Sequence, residues 1–231
     1  MVYVGNRTLI NLTPGKKSWS FNHTQDVGAG KILLVSCVMA SNRTFSSCKY
    51  NGVAMTQVIQ QVLWNGSTGR RHAVYILTPD TTPPMTDSLA GTKQLTISFN
   101  NPLWNPISIY VQSFTDASAV APFNIINKQP LSTPNVQSMT VSGGSFVYGM
   151  SLANVNITSL SIPTGSGTPF LYLHNTNSKV RGAIKENLPA GVVGITATSG
   201  SGKISLFAIE IGGVSTPVGG VSEGSFMPMF Y

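Results

Sequence analysis

The stretch KQLTISF, residues Lys93 to Phe99, decides the fold class of this chain. Leu95, Ile97 and Phe99 alternate with more polar residues, which places the three apolar side chains on one face of an extended segment. A helix would place Leu95 and Phe99 on one face and Ile97 on the opposite face. The stretch is therefore predicted to be a β-strand with one buried and one exposed face.

The same pattern recurs on both sides of this strand. KILLVSCVM, Lys31 to Met39, is a nearly continuous apolar run of strand length, and ISIYVQSF, from Ile107, alternates an apolar row with one containing Tyr110 and Gln112. SFVYGMSLANV, PFLYLHN, GVVGITAT and KISLFAIEI repeat the pattern later in the chain. Neither an amphipathic helix nor an internal repeat is evident. The prediction is an all-β protein, an antiparallel β-sandwich that is jelly-roll-like.

The turn signal YNGVAMT, Tyr50 to Thr56, supports this interpretation. Asn51 and Gly52 tolerate positive φ, as a type I′ turn requires, so this segment is predicted to be the tip of a hairpin. Nothing in it can exchange a proton, hold a metal or act as a nucleophile. Its role is expected to be structural.

The composition limits the classes of function. Charged residues make up 9% of the chain against an average of about 25%, so solubility depends on neutral polar groups, as on an extracellular or virion surface. The net charge of +7 favours an acidic partner, but the cations are scattered along the sequence. Neither a basic helix nor an aromatic-basic RNA-binding signature is present, so we expect no nucleic-acid binding.

The N-terminus does not resemble a signal peptide, and no apolar run approaches the roughly 20 residues of a membrane span. We therefore expect synthesis in a cytoplasm and no membrane partner. One sandwich domain is predicted over residues 1–213, followed by a Gly-rich C-terminal tail over residues 214–231. The tail ends in an aromatic and apolar group that either folds back or anchors the chain to a neighbouring subunit: Phe226, Met227, Met229, Phe230 and Tyr231.

Cys37 and Cys48 are the only two cysteines. If Asn42 and Arg43 form the two-residue loop of a hairpin, Cys37 falls opposite Cys48 and within reach of a disulfide. The alternative is a pair of buried thiols acting as small hydrophobic side chains. We favour the thiols because the chain shows no secretion signal.

Catalytic and metal-binding patterns are missing from the sequence. His23, His72 and His174 lie in separate segments without metal-ligand spacing, and Asp80 and Asp87 share a loop that lacks the alternating oxygen ligands of a calcium site. GAGK and GSGK look like the end of a phosphate loop but lack its first glycine and its Ser or Thr. We therefore predict neither a cofactor nor an enzymatic activity.

Two tryptophans are candidate sugar-stacking platforms. Trp64 and Trp104 both sit at predicted strand ends, where a loop can expose an aromatic face. Core packing is the alternative for each of them.

Several motifs together resemble a family of β-sandwich proteins found in bacteriophage virions and among bacterial surface proteins. The motifs are YNGVAMT, VYILTP, GTKQLTISF, YVQSFTDAS and LFAIEI. In that family a YNGVALT-like hairpin is followed by a strand ending in Asn/Thr-Pro-Pro, a GT-x-TVTVTF strand, an SF-containing strand and a final Ala-Ile-Glu-Ile strand. The chain departs from the pattern by inserting DTTPPMTDSLA and by carrying the aromatic tail. The resemblance implies a sandwich fold and a virion role, and it brings no catalytic residues.

We therefore expect a non-enzymatic phage virion protein, assembled in the host cytoplasm, that serves as a capsid decoration or cement protein on the particle surface. Its expected partners are capsid or other virion proteins and further copies of itself. The alternative is a carbohydrate- or receptor-binding module of a tail fibre, which would bind a host-surface glycan at Trp64 or Trp104. A glycan-cleaving enzyme needs a carboxylate pair that the sequence does not show, although distant segments can assemble one.

Overall fold

The computed structural model describes residues 3–40, 43–64, 70–103, 107–118, 124–153, 157–162, 169–170, 180–200 and 202–213. Within these ranges the protein is built from antiparallel strands, and the one helical element there is a single 3-10 turn, Asp87–Leu89. The predicted all-β, antiparallel fold class is therefore confirmed.

The first half of the chain forms two sheets. Sheet I contains, in spatial order, β1 (Tyr3–Leu12), β9 (Ile107–Thr115), β3 (Ile32–Ala40), β7 (Arg70–Leu77) and β6 (Thr56–Trp64). Sheet II contains β2 (Ser18–Gln25), β8 (Gly91–Phe99), β4 (Phe45–Tyr50) and β5 (Val53–Ala54). One hydrophobic cluster draws buried residues from both sheets, so the two sheets pack face to face as a first sandwich.

The second half repeats this construction. Sheet III contains β10 (Ala117–Ser118), β18 (Lys203–Gly213), β13 (Ser145–Ala153), β16 (Val180–Leu188) and β15 (Pro169–Phe170), and β11 (Ile125–Ser132) also pairs with β18. Sheet IV contains β12 (Asn135–Val141), β17 (Gly191–Ser199) and β14 (Ile157–Ser161). A second cluster joins sheets III and IV into a second sandwich.

A third cluster lies between sheets I and III and joins the two sandwiches. The layers therefore follow the order II, I, III, IV. The rings of Phe114 and Phe146 meet edge to face at 4.7 Å between centroids, and those of Tyr110 and Tyr148 stack at 5.1 Å. Such ring pairs stabilise a contact beyond the area that they bury.

This layering explains two features of the sequence. Strand β3 is buried on both faces, since Ile32 and Leu34 face sheet III while Leu33 and Val35 face sheet II. A strand covered on both faces has a continuous apolar run, as KILLVSCVM does. The alternation of residues in β9 predicts one apolar and one more polar face. In the structure both faces of β9 are covered, and Tyr110 from the more polar face lies in the cluster between sheets I and III.

The two sandwiches share one strand order. Sheet I runs β1-β9-β3-β7-β6 and sheet III runs β11-β18-β13-β16-β15, while β2-β8-β4 in sheet II matches β12-β17-β14 in sheet IV. The sequence shows no internal repeat, but the topology is used twice. Strand order depends on alternation and connection lengths rather than on particular side chains, so it can repeat without a visible sequence repeat.

The predicted hairpin at YNGVAMT is confirmed. Asn51 and Gly52 have φ of 47° and 80°, and Tyr50 pairs with Val53 across the turn.

The sequence interpretation of Asn42 and Arg43 as a second hairpin loop is wrong. Strand β3 pairs with β7 and β9 in sheet I, whereas β4 pairs with β8 and β5 in sheet II. The chain therefore crosses between sheets at this point, and a short connection permits either path. Cys37 and Cys48 are both free, buried thiols in the cluster between sheets I and II. Their predicted cross-strand register is not formed.

Strand β18 is described up to Gly213, the last described residue, so the predicted domain boundary at residue 213 stays a prediction. Residues 214–231, including Phe226, Met227, Met229, Phe230 and Tyr231, lie outside the described residues. The tail and its anchor remain predictions.

Candidate functional site

One end of the layered stack carries cations and, among the described residues, no carboxylate. In the first sandwich it contains the connections β1–β2, β3–β4, β6–β7 and β8–β9, because successive antiparallel strands alternate in direction. In the second sandwich β16 and β18 begin at the corresponding end. We call it the basic end, and its charged positions are Lys16, Lys17, Arg43, Arg70, Arg71, Arg181 and Lys203.

The corresponding ends of the two sandwiches lie on the same side of the stack. At the end opposite the basic end, β10 follows β9 directly and pairs with the last residues of β18, with Ala117 opposite Gly213. Phe114 and Phe146, which meet across the interface, also lie near that end of their strands.

The opposite end has mixed charge. Every carboxylate of the described part lies in its connections or within the last four residues of the strands that end there: Asp26, Asp80, Asp87, Asp116, Glu186 and Glu210. Four lysines lie in the same half of the stack: Lys31, Lys49, Lys93 and Lys185. We call it the mixed end. The charge is thus unevenly distributed along the strand direction.

Backbone hydrogen bonds hold the connections of the basic end against one another. Gly15 N donates to Leu103 O at 2.9 Å, and Leu103 N donates to Lys16 O at 3.1 Å. Asn100 N donates to Thr44 O at 3.0 Å, while Arg43 Nε donates to Pro102 O at 2.9 Å. Three separate connections therefore form one braced surface.

The cations of this surface differ in exposure. Lys16 and Lys17 are exposed on the β1–β2 connection, and Lys203 is exposed at the start of β18. Arg43 is buried and Arg71 is half-buried. Among the side chains described at this end of the first sandwich, the two adjacent lysines are therefore the most accessible positive charges.

The structure places the backbone of Trp64 at the basic end, as the last residue of β6 and opposite Arg70. Trp104 lies outside the described residues, directly after Leu103 of the braced surface. The third tryptophan, Trp19, packs its ring edge to face on Phe99 at 5.6 Å in the first sandwich. The predicted stacking role of Trp64 and Trp104 remains a prediction.

His72 forms a buried chain of hydrogen bonds where the two sandwiches meet. Tyr148 Oη donates to Ser36 Oγ at 2.8 Å, and Ser36 Oγ is 3.0 Å from His72 Nε2. All three side chains are inaccessible to solvent, and burial lowers the pKa of His72 to about 3. A serine and histidine in contact suggest a nucleophile and base, but no substrate can reach them here.

His23 is also buried, and its Nδ1 lies 2.8 Å from Thr8 Oγ1, which links sheets I and II. Burial lowers the pKa of His23 to about 4, against an opposing effect from Asp26. His174 lies outside the described residues. Both described histidines therefore act as neutral core groups.

Two carboxylates are held in corresponding internal clusters. Asp26 accepts hydrogen bonds from Asn6 Nδ2 at 2.8 Å and from Ser113 Oγ at 2.8 Å. Glu210 accepts from Asn124 Nδ2 at 2.6 Å and from Ser145 Oγ at 2.6 Å.

Each cluster contains an asparagine from the first strand of its sandwich or the residue before it, a hydroxyl and a carboxylate. In the first sandwich the carboxylate follows the second strand and the hydroxyl is on the last strand. In the second sandwich Glu210 is on the last strand, Ser142 follows β12, and Ser145 is the first residue of β13. The two roles are exchanged, which hides the correspondence in the sequence.

An open cavity of about 570 Å³ lies at the mixed end, beside the GAGK turn and the β7–β8 connection. Lys31 Nζ forms an ion pair with Asp87 there, and this contact lowers the pKa of the Asp87 carboxyl. The carbonyl groups of Ala29 and Gly30 accept hydrogen bonds from Asp116 N and Ala117 N. The GAGK turn is thus tied to the end of β9. Among the described residues no three His, Cys, Asp or Glu side chains come together to hold a metal ion.

Sequence reasoning missed the basic end because its cations lie far apart along the chain. They occupy alternate connections, and the acidic residues occupy the others. That alternation is the one signal in the sequence that could have revealed the site, and using it requires the strand order.

Comparisons with known proteins returned no match to a family model, a curated protein or a solved structure. In the described part of the chain, no helix has the length and apolar character needed to cross a membrane.

Proposed function

We propose that the chain is a non-enzymatic structural protein of a bacteriophage virion, and that it acts as a capsid decoration or cement protein on the particle surface. The observation that carries the proposal is the chemistry of the two outer faces of the stack. Both are broad β-sheet faces covered mainly by neutral hydroxyl and amide groups. The resemblance of the strand motifs to phage virion proteins supplies the biological setting.

The outer face of sheet II carries a ladder of hydroxyl pairs between β2 and β8. Ser18 pairs with Ser98 at 2.9 Å, Ser20 with Thr96 at 2.8 Å, and Thr24 with Thr92 at 2.8 Å. Cross-strand hydroxyl pairs stabilise a sheet without using charge. They keep the face hydrated at any ionic strength, which suits a particle that persists outside the cell.

The outer face of sheet IV is also neutral. Strands β12, β14 and β17 contain no ionisable residue, and β17 presents Thr196 and Thr198 beside the exposed Val136 and Val192. Two groups of the kind that catalysis uses, His72 and Glu210, are engaged inside the protein by Ser36 and Ser145. This distribution supports a structural rather than an enzymatic role.

We also infer that each sandwich is a jelly roll. With the eight strands of a jelly roll lettered B to I, β1-β9-β3-β7 of sheet I follow the order B-I-D-G, with β6 as an additional edge strand, and β2-β8-β4-β5 of sheet II follow the order C-H-E-F. Sheets III and IV follow the same order, with strand F missing from the described part. Jelly rolls are common in virus capsids and in lectins, so this inference suits the proposed role.

Counting the copies of this protein per purified virus particle tests the proposal. Quantitative mass spectrometry against the major capsid protein should give hundreds of copies. A handful of copies would move the protein to the tail, and none would reject a virion role. A chain truncated to residues 1–213 tests the predicted anchor, because loss of particle binding or of self-association would assign that role to residues 214–231.

A second candidate function is carbohydrate or receptor binding in a tail fibre. The observation that favours it is topological, since β6 ends with Trp64 at the basic end and Leu103, the residue before Trp104 in the sequence, belongs to the braced surface. Host polysaccharide should then quench tryptophan fluorescence, and W64A or W104A should reduce adsorption to host cells. Fluorescence and adsorption that stay unchanged would remove this candidate.

A further inference from the structure

We propose that the basic end of the first sandwich docks on an acidic surface of a folded protein, with Lys16 and Lys17 as the leading contacts. The inference rests on the proposed function, in which that acidic surface belongs to the virus shell. It adds the docking face and the orientation of the bound molecule.

The basic end carries only positive charge in the part of the first sandwich that is described. The connections around Lys16 and Lys17 contain Arg43, Arg70 and Arg71 and no acidic residue, so no carboxylate of the described part lies at this end beside the two exposed lysines. Long-range attraction therefore guides this end, rather than the mixed end, toward a negative surface. The formal net charge of +7 reinforces the attraction.

The basic end is also held rigidly by hydrogen bonds between its connections. The backbone bonds from Gly15 to Leu103 and from Asn100 to Thr44 tie three connections together before any partner arrives. A surface that is ordered in advance loses little conformational entropy on binding. It therefore suits a partner that is itself folded and presents a fixed arrangement of carboxylates.

The exposed charges of the basic end also indicate the chemistry of its partner. Binding to single-stranded nucleic acid uses aromatic side chains on which bases stack, together with a continuous positive groove. The exposed cations described at the basic end are Lys16 and Lys17 on one connection and Lys203 at the start of β18, which are separate positions rather than a continuous row. Lysines that act as separate point charges match isolated carboxylates on a protein surface.

Docking through this end also sets the orientation of the molecule. The strands would stand away from the shell, the mixed end would point outward, and both neutral sheet faces would remain free at the sides.

The test uses the full-length chain and empty shells assembled from the major capsid protein of the virus whose genome encodes it. The variant K16E/K17E reverses two charges at the basic end. The matched control K49E/K128E makes the same change in net charge at exposed lysines of β4 and β11, away from that end. Thermal unfolding confirms that both variants are folded, and cosedimentation across a salt series measures binding.

The expected result is that wild type and K49E/K128E bind the shells alike, whereas K16E/K17E binds roughly tenfold more weakly. Binding of the wild type should weaken as salt increases. If all three proteins bind equally, the inference is wrong while the proposed function stands.

Dextran sulfate and single-stranded DNA provide the remaining arms. If the wild type ignores the shells but binds either polyanion through Lys16 and Lys17, then an acidic protein is the wrong partner and the decoration role fails as well. Binding to none of the three probes would reject both proposals.

Discussion

The hydroxyl of Tyr148 donates a hydrogen bond to Ser36 Oγ at 2.8 Å across the boundary between the two sandwiches. Both residues are fully buried, so water cannot replace either partner. Ser36 also contacts His72, which makes the bond part of a chain through the shared cluster. This relationship joins two separately layered halves into one packed unit.

We expect Y148F to lower the free energy of unfolding by about 1–2 kcal/mol, because the change removes one buried donor and leaves the ring packing intact. Y75F is the matched control, since the Tyr75 hydroxyl bonds the exposed Gln57 at 2.9 Å and water can take its place. Urea denaturation measures both. An equal loss in the two variants would contradict a special contribution from the inter-sandwich bond.

His72 should make stability depend on pH. Its pKa falls from 6.5 to about 3 on folding, so the unfolded chain binds the proton first as the pH decreases. Stability is complete above about pH 6.5 and declines toward pH 3, by at most about 1.4 kcal/mol per pH unit from this group.

The variant H72Q keeps a hydrogen-bonding group near Ser36 but cannot titrate. We expect it to be less stable at pH 7 and to show a shallower decline between pH 6.5 and 3. H23N removes the other buried imidazole, whose pKa is lowered to about 4. The decline in stability that His23 contributes should therefore end near pH 4. Denaturation curves at several pH values give the slopes, and an unchanged slope in H72Q would contradict the assignment.

Glu210 should act in a lower pH range. Burial by itself raises the pKa of this carboxyl, but hydrogen bonds from Ser145, Asn124 and Ser142 outweigh that effect, and the pKa lies below its usual value of 4.5. The stabilisation is present above about pH 4.5 and is lost as the pH falls through the folded-state value.

We expect E210Q to cost about 1–3 kcal/mol at pH 7, because a neutral amide replaces a charge-assisted acceptor. The difference from wild type should shrink below pH 4.5. E186Q, at a half-buried position in β16, is the control and should change the free energy of unfolding by less than E210Q does. A loss that does not vary with pH would indicate packing rather than charge.

Gly52 tests the turn at the centre of YNGVAMT. Its φ of 80° is unfavourable for a residue with a Cβ atom, although nothing lies within 4 Å of an added methyl group. G52A should therefore destabilise the protein by about 1 kcal/mol through backbone strain alone. Gly194 also has open space around it but lacks the positive φ, so G194A should be close to neutral. Similar losses in both variants would exclude strain as the cause.

Cys37 and Cys48 should react only when the protein unfolds. Both thiols are buried, and desolvation raises their pKa values, so the reactive thiolate is scarce in the native state. A thiol reagent should modify them in denaturant but not in buffer, whereas A54C at the exposed β5 position should react at once. A change in melting temperature on addition of a reductant would instead indicate a disulfide.

Local sequence was sufficient for the strands and for one turn. KQLTISF predicted β8 and its buried residues Leu95, Ile97 and Phe99, because alternation in an extended chain is a local property. Asn51 and Gly52 predicted their turn for the same reason. The connection at Asn42 and Arg43 was misread because a short loop can close a hairpin or cross between sheets, and only pairing partners distant in sequence decide between the two.

The motifs that carry the family resemblance also acquire a different meaning in three dimensions. YVQSF belongs to β9 and LFAIEI to β18, and these two strands occupy the same position in their sandwiches. The motifs follow one another along the sequence, but they belong to two sandwiches that have the same strand order. The carboxylate of the corresponding cluster follows the second strand in the first sandwich, as Asp26, but lies on the last strand in the second sandwich, as Glu210. This difference in position conceals the relation between the two halves.

The sequence by itself determined the fold class, most of the strands and the neutral, weakly charged character of the surface. Each of these follows from composition or from periodicity over a few residues. The tertiary structure alone decided that two sandwiches share a strand order, that Ser36, His72 and Tyr148 meet in the core, and that dispersed cations gather at one end. Those features depend on which distant strands pair, because antiparallel pairing brings alternate connections together regardless of their separation along the chain.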